Sequence, residues 1–133
     1  DSFVYGIFPN IQLGCHPEGV FVHKFMPHPD NPELFTYETF INYRVVDNPD
    51  YHVPAWFGLP ENTDTSGKIR PEITHYPLGV KPDLGEVLDQ DAELIPFVQD
   101  GIRSRGFKGP LWSEQELRLR HFHFQIDQYM NSD

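Results

Sequence analysis

At 133 residues the chain is long enough for one domain and short for two. Its 38% hydrophobic and 23% charged content excludes a disordered tail, and no apolar run approaches the ~18 residues of a membrane helix. A net charge of -10, with ten scattered Lys and Arg, argues against a nucleic-acid partner, whose phosphates need clustered cations; the single cysteine, Cys15, excludes an internal disulfide, a zinc ribbon or a Cys-ligated iron–sulfur cluster within these residues.

A lone cysteine fits a reducing cytoplasm. The chain opens at Asp1 and enters strand-like sequence at once, as a segment of something longer would. Phe3–Phe8, Ile11–Cys15 and Val20–Met26 are β-rich runs, separated by Pro9-Asn10 and by the turn His16-Pro17-Glu18-Gly19. After the turn His28-Pro29-Asp30-Asn31-Pro32, Leu34–Val46 alternates most clearly. Phe35, Tyr37, Thr39, Ile41, Tyr43 and Val45 fall on one face, and Thr36, Glu38, Asn42 and Arg44 on the other. Short turns between successive strands predict an antiparallel meander over 1–46.

Residues 47–83 carry six prolines and read as an irregular excursion, with Trp56, Phe57, Ile69, Ile73 and Tyr76 as apolar anchors. Residues 84–133 read as helices. Leu84, Val87, Leu88, Leu94, Ile95, Val98 and Ile102 are helically spaced over 84–104, with Pro96 expected to kink or break that helix. Ser113 and Glu116 form a capping box for a second helix, whose core stripe would be Leu119, Phe122, Ile126, Tyr129 and Met130. Strands first and helices last imply an α+β fold, a helix packed on an antiparallel sheet.

One residue does not belong in this pattern. On a wheel of roughly 100° per residue, the apolar stripe of the first helix is centred on Asp91, while Asp89, Glu93, Asp100 and Arg103 lie opposite. Burying a lone carboxylate costs several kcal/mol. Asp91 is therefore expected to face the sheet with a partner, either a metal, an Arg, a backbone donor or a polar pocket, and Asp89 to face solvent. The plain alternative is a helix-start carboxylate.

The stretch Val87-Leu88-Asp89-Gln90-Asp91-Ala92-Glu93-Leu94-Ile95-Pro96-Phe97-Val98-Gln99 resembles the ligand-bearing segment of Rieske-type ring-hydroxylating oxygenase α subunits. There an acid-Gln-Asp is followed by an apolar residue four on and a Gln eight on; here those are Ile95 and Gln99. Ile7-Phe8-Pro9-Asn10, the hairpin from Gly19 to Ile41 and the closing segment Gly109–Met130 are similar to the same family, so the likeness spans nearly the whole chain. It implies the C-terminal part of a catalytic domain with a helix-grip, START-like fold. It also implies a mononuclear Fe(II) held by two His and one carboxylate, with Asp91 as the metal ligand. Electrons would come from a Rieske [2Fe–2S] centre in the N-terminal region, fed by a ferredoxin or reductase. The substrates would be O2 and a small aromatic or apolar molecule, the assembly a homotrimer or α/β hetero-oligomer. Val87 and Phe25 align with pocket positions of the family, although ordinary core packing is the plainer explanation of both.

The chain departs from the family in its histidines. His23 and His28 have the His-x4-His spacing, but Val20 replaces the acid expected three residues earlier and the segment reads as strand, where an odd separation points to opposite faces. His121 and His123 diverge on a helix, and His16, His52 and His75 lie in turns or loops. Both ligand histidines are therefore expected outside this chain, and the chain alone is expected to be inactive. The alternatives are a helix-grip module that binds a small apolar ligand without chemistry, and an assembly-only segment.

Overall fold

The computed structural model describes residues 1–60 and 62–132. They form two compact units: Asp1–Asn42 with the segment from Gly109 onward, and Tyr43–Lys108.

The first unit is the predicted meander. Strands β1 (Phe3–Ile7), β2 (Ile11–His16), β3 (Gly19–Pro27) and β4 (Phe35–Tyr43) make one antiparallel sheet in the order β1-β2-β3-β4. Phe3 pairs with Cys15 and Ile7 with Ile11 across β1 and β2; Ile11 pairs with Lys24 and His16 with Gly19 across β2 and β3. This register puts Phe21, His23 and Phe25 on one face, because side chains alternate along a strand. Gly14, opposite Phe21, offers no side chain, and Phe21 is the buried apolar residue of the sheet. Rings continue outward from it. His16 meets Phe21 edge-on at 5.8 Å, His23 stacks on Phe21 and Tyr37, and Tyr37 stacks on Phe25 at 5.0 Å. The opposite face carries the half-exposed pair Lys24 and Glu38, 3.2 Å apart.

Turns in this unit are held by side chains. Asn10 Nδ2 donates to the Phe25 carbonyl at 3.0 Å, and Phe25 N–H returns a bond of 3.0 Å to the Asn10 carbonyl. His28 Nδ1 accepts from the backbone N–H groups of Asp30 and Asn31. Strand β4 stops at Tyr43 rather than Val46, because Val46 N–H turns away to the Thr65 carbonyl.

Helix α2 spans Leu117–Met130 and not 113 onward. The Glu116 carboxylate does accept from Ser113 N–H at 2.6 Å, but Glu116 N–H also bonds to the Ser113 carbonyl. The capping-box contact thus closes a turn, and the helix begins after it. On the sheet side, Phe8 packs on Phe122 at 5.7 Å and Tyr129 at 5.1 Å, and Arg118 donates to the Val4 carbonyl at 2.8 Å. The expected stripe is only thinly covered. Ile126 is half-buried, whereas Leu119, Tyr129 and Met130 are exposed, since aromatic contacts at one strand end cannot cover a whole helix face.

The second unit contains the proline-rich excursion and helix α1, Glu86–Ile102. Among the described residues, a short 3-10 turn at Ala55–Phe57 is the regular element of the excursion. Phe57 is fully buried, and the Trp56 ring lies 4.5 Å from it. Ile69 and Ile73 are exposed and do not anchor anything. Order in 62–70 comes from Asp64, whose carboxylate accepts from Ser66 N–H, the Ser66 hydroxyl and Ile69 N–H. Tyr43 donates its hydroxyl to the Asp64 carbonyl. Pro96 sits inside α1 without breaking it. No residue of α1 is buried, so its apolar spacing does not translate into a covered face.

Candidate functional site

Gly85 caps the start of helix α1, and its carbonyl accepts from Asp89 N–H at 2.9 Å. The Asp89 carboxylate reaches back to accept Leu84 N–H, also at 2.9 Å. Leu84 lies just before the N-cap, and an acidic side chain in the first turn, at the positive end of the helix dipole, is suited to accept from backbone N–H groups there. That bond draws Asp89 inward and leaves it half-buried. Two residues on, about 200° around the helix, Asp91 is exposed.

The expectation for the two carboxylates is thus reversed. Asp91 does not lie more deeply than Asp89. The wheel took apolar residues to mark a buried side, but Val87, Leu94 and Val98 are about half exposed or more. Solvated as it is, Asp91 carries no burial penalty that would demand a partner.

Val87, Asp91, Ile95 and Gln99 follow at intervals of four and form one stripe along α1. Ile95 is half-buried, and the other three are exposed. Lys81 and Glu93 form an exposed ion pair of 2.6 Å, and Glu93 holds the Lys81 ammonium above its ordinary pKa. A groove of about 320 Å³ lies beside that pair, lined by Gly79, Val80, Lys81, Pro82, Asp89, Ala92 and Glu93. Asp91 and Val87 are not in its wall.

Phe25, the other pocket candidate, lies on β3 in the first unit. It is half-buried between Tyr37 and Phe35, part of the ring row of the sheet. His23 and His28 have unlike employments. His23 Nδ1 lies 2.7 Å from the Tyr37 hydroxyl within the sheet, while His28 Nδ1 organises the following turn. His123 packs against Trp112 at 5.1 Å.

Among the described residues no group of three or more His, Cys, Asp or Glu could hold a metal ion. These residues therefore do not by themselves fit a three-ligand iron centre; Asp91 is one open carboxylate and no more. Among the described residues no helix is long and apolar enough to cross a membrane.

Sequence reasoning missed Asn10, Asp64 and Gly85 as organisers. For Asn10 a signal existed in its place after Pro9 at a strand boundary, where an amide commonly bonds to nearby backbone. A family model described as "Ring hydroxylating alpha subunit (catalytic domain)" matches residues 1–132. No curated protein and no solved structure matches the chain.

Proposed function

We infer, because this chain belongs to the family of ring-hydroxylating α-subunit catalytic domains, that it is the C-terminal part of such a domain in a Rieske-type non-haem iron oxygenase. The complete protein would insert oxygen into an aromatic or other apolar substrate. This segment would supply Asp91 as the carboxylate ligand of its mononuclear iron. What supports that role is the division of labour at the start of α1. Asp89 is committed to Leu84 N–H, whereas Asp91 stands exposed in the stripe that carries Ile95 and Gln99.

Fe(II) in this ligand class needs three groups fixed on one side of the ion. With Asp91 as the one donor from this chain, two histidines must come from elsewhere in the complete protein. The Rieske [2Fe–2S] centre would also lie outside, since its Cys2His2 set exceeds a single cysteine. Val87, one turn before Asp91, and Phe25 on β3 are candidate substrate contacts through apolar surface. Ferredoxin or reductase donors and a trimeric or α/β assembly follow from the same reading.

The test is Asp91→Ala and Asp91→Asn in the complete protein. Iron content and turnover should both collapse, while the absorption spectrum of the [2Fe–2S] centre stays unchanged. Retained iron and turnover in Asp91→Ala would move the ligand elsewhere. Failure of the unaltered protein to take up iron on anaerobic Fe(II) addition would favour a small-molecule binding module.

A further inference from the structure

Two glycines far apart in sequence meet at the start of α1. Gly58 closes the 3-10 turn with φ 70°, its N–H bonded to the Ala55 carbonyl at 3.0 Å. Gly85 precedes α1 with φ 83° and ψ 156°, a region essentially reserved for glycine. Their backbones are in direct contact. A Cβ on Gly85 would lie 2.4 Å from Gly58 Cα, and one on Gly58 would lie 2.6 Å from the Leu84 carbonyl oxygen. Both obstacles are main chain, so no side chain can swing aside.

We propose that Gly58 and Gly85 form a backbone clasp through which the proline-rich excursion fixes the first turn of α1, and that both are positioning residues for Asp91. The Asp91 part rests on the reading of that residue as the functional carboxylate. Each link is on the structure. Phe57, fully buried, anchors the 3-10 turn that presents Gly58. Gly58 abuts Leu84 and Gly85. From the other side, Gly85 C=O accepts Asp89 N–H, and Leu84 N–H is held by the Asp89 carboxylate. A first turn usually frays, because its donors have no intrahelical acceptor. Here the first turn is held from its entry, because Leu84 and Gly85, the two residues before the helix, are both bonded to Asp89, two residues before Asp91.

Gly79 separates the clasp from ordinary glycine strain. Its φ is 85°, yet a Cβ there meets nothing within 4 Å. Gly79→Ala therefore imposes an unfavourable backbone conformation alone, whereas Gly85→Ala adds the collision. The experiment is amide hydrogen exchange on the complete protein carrying Gly85→Ala, Gly58→Ala or Gly79→Ala, followed by steady-state kinetics. In the unaltered protein the Leu84 and Asp89 amides should exchange at least about a hundredfold slower than free peptide. Gly85→Ala and Gly58→Ala should speed both by about tenfold or more, leave Val98 to Ile102 unchanged, and lower kcat with little change in KM. Gly79→Ala should do none of this.

Equal exchange in Gly85→Ala and Gly79→Ala would overturn the clasp, as would acceleration spread evenly over the whole domain. If the variants do not fold, a Leu84 amide exchanging at the free-peptide rate in the unaltered protein overturns it without them. Retained turnover in Asp91→Asn would overturn the link to Asp91, and the exchange contrast would show separately whether the clasp itself stands.

Discussion

In the strand unit, donors of one segment find carbonyls on the next, and the register from Phe3 with Cys15 to His16 with Gly19 repeats one bonding scheme. Among the described residues of 43–108 no such ladder organises the excursion before α1. There a carboxylate gathers three donors at Asp64, a second carboxylate ties Leu84, and two glycines let backbones touch. The sheet spreads its stability over many equivalent bonds, while the excursion concentrates it in a few groups. Single substitutions should therefore act very differently in the two.

The largest effect is expected at Phe57, the fully buried apolar side chain among the described residues of its unit. Phe57→Ala should cost about 3–5 kcal/mol, the usual range for emptying a buried aromatic site. Urea denaturation followed by the fluorescence of Trp56, 4.5 Å away, reads it directly. A cost below that of the next variant would mean that the excursion is not organised around this ring.

That variant is Tyr37→Phe in the sheet. It removes the hydroxyl 2.7 Å from His23 Nδ1 but keeps the ring stacked on Phe25. One hydrogen bond among many suggests about 1 kcal/mol, measured by the same denaturation. A loss several times larger would show the ring row to be as concentrated as the excursion.

The smallest effect should be local and pH-dependent. Hydrogen bonds from the Ser66 hydroxyl and then from backbone N–H groups hold the Asp64 carboxyl below its ordinary value of 3.8. A folded-state pKa lower than the unfolded one favours folding wherever the group is ionised in both states. The contribution is therefore present above about 3.8 and is lost as pH falls through the folded value. Amide NMR signals of Ser66 and Ile69 should move together on acidification below 3.8 while those of β2 and β3 stay fixed. Asp64→Asn should abolish that concerted shift.

The same contrast explains what could be read from residue order. The four strands were legible because period-two alternation and turn prolines are local signals, and Leu34–Val46 missed its end by three residues only because Val46 turns to Thr65. The start of α2 misled because Ser113 and Glu116 make the expected contact in a turn, not in the helix. Asp91 was found as an unusual residue, but its exposure was not. A helical wheel reports which residues are apolar and says nothing about whether anything covers them. The meeting of Gly58 and Gly85 had no local signature, since the 26 residues between them contain no period that brings the two together.

Arg118 donates to the Val4 carbonyl across 114 positions of sequence, and Phe8 reaches Tyr129 over a comparable interval. The strand unit is thus assembled from both flanks of the chain, whereas Tyr43–Lys108 is one uninterrupted stretch. During synthesis the middle stretch is complete before the last helix leaves the ribosome. Contacts between β1 and α2 span 114 positions of sequence and must wait for that helix, as contacts of high sequence separation do. Until then Phe8 stays uncovered by Phe122 and Tyr129, and that interval is when the nascent chain is most open to wrong associations.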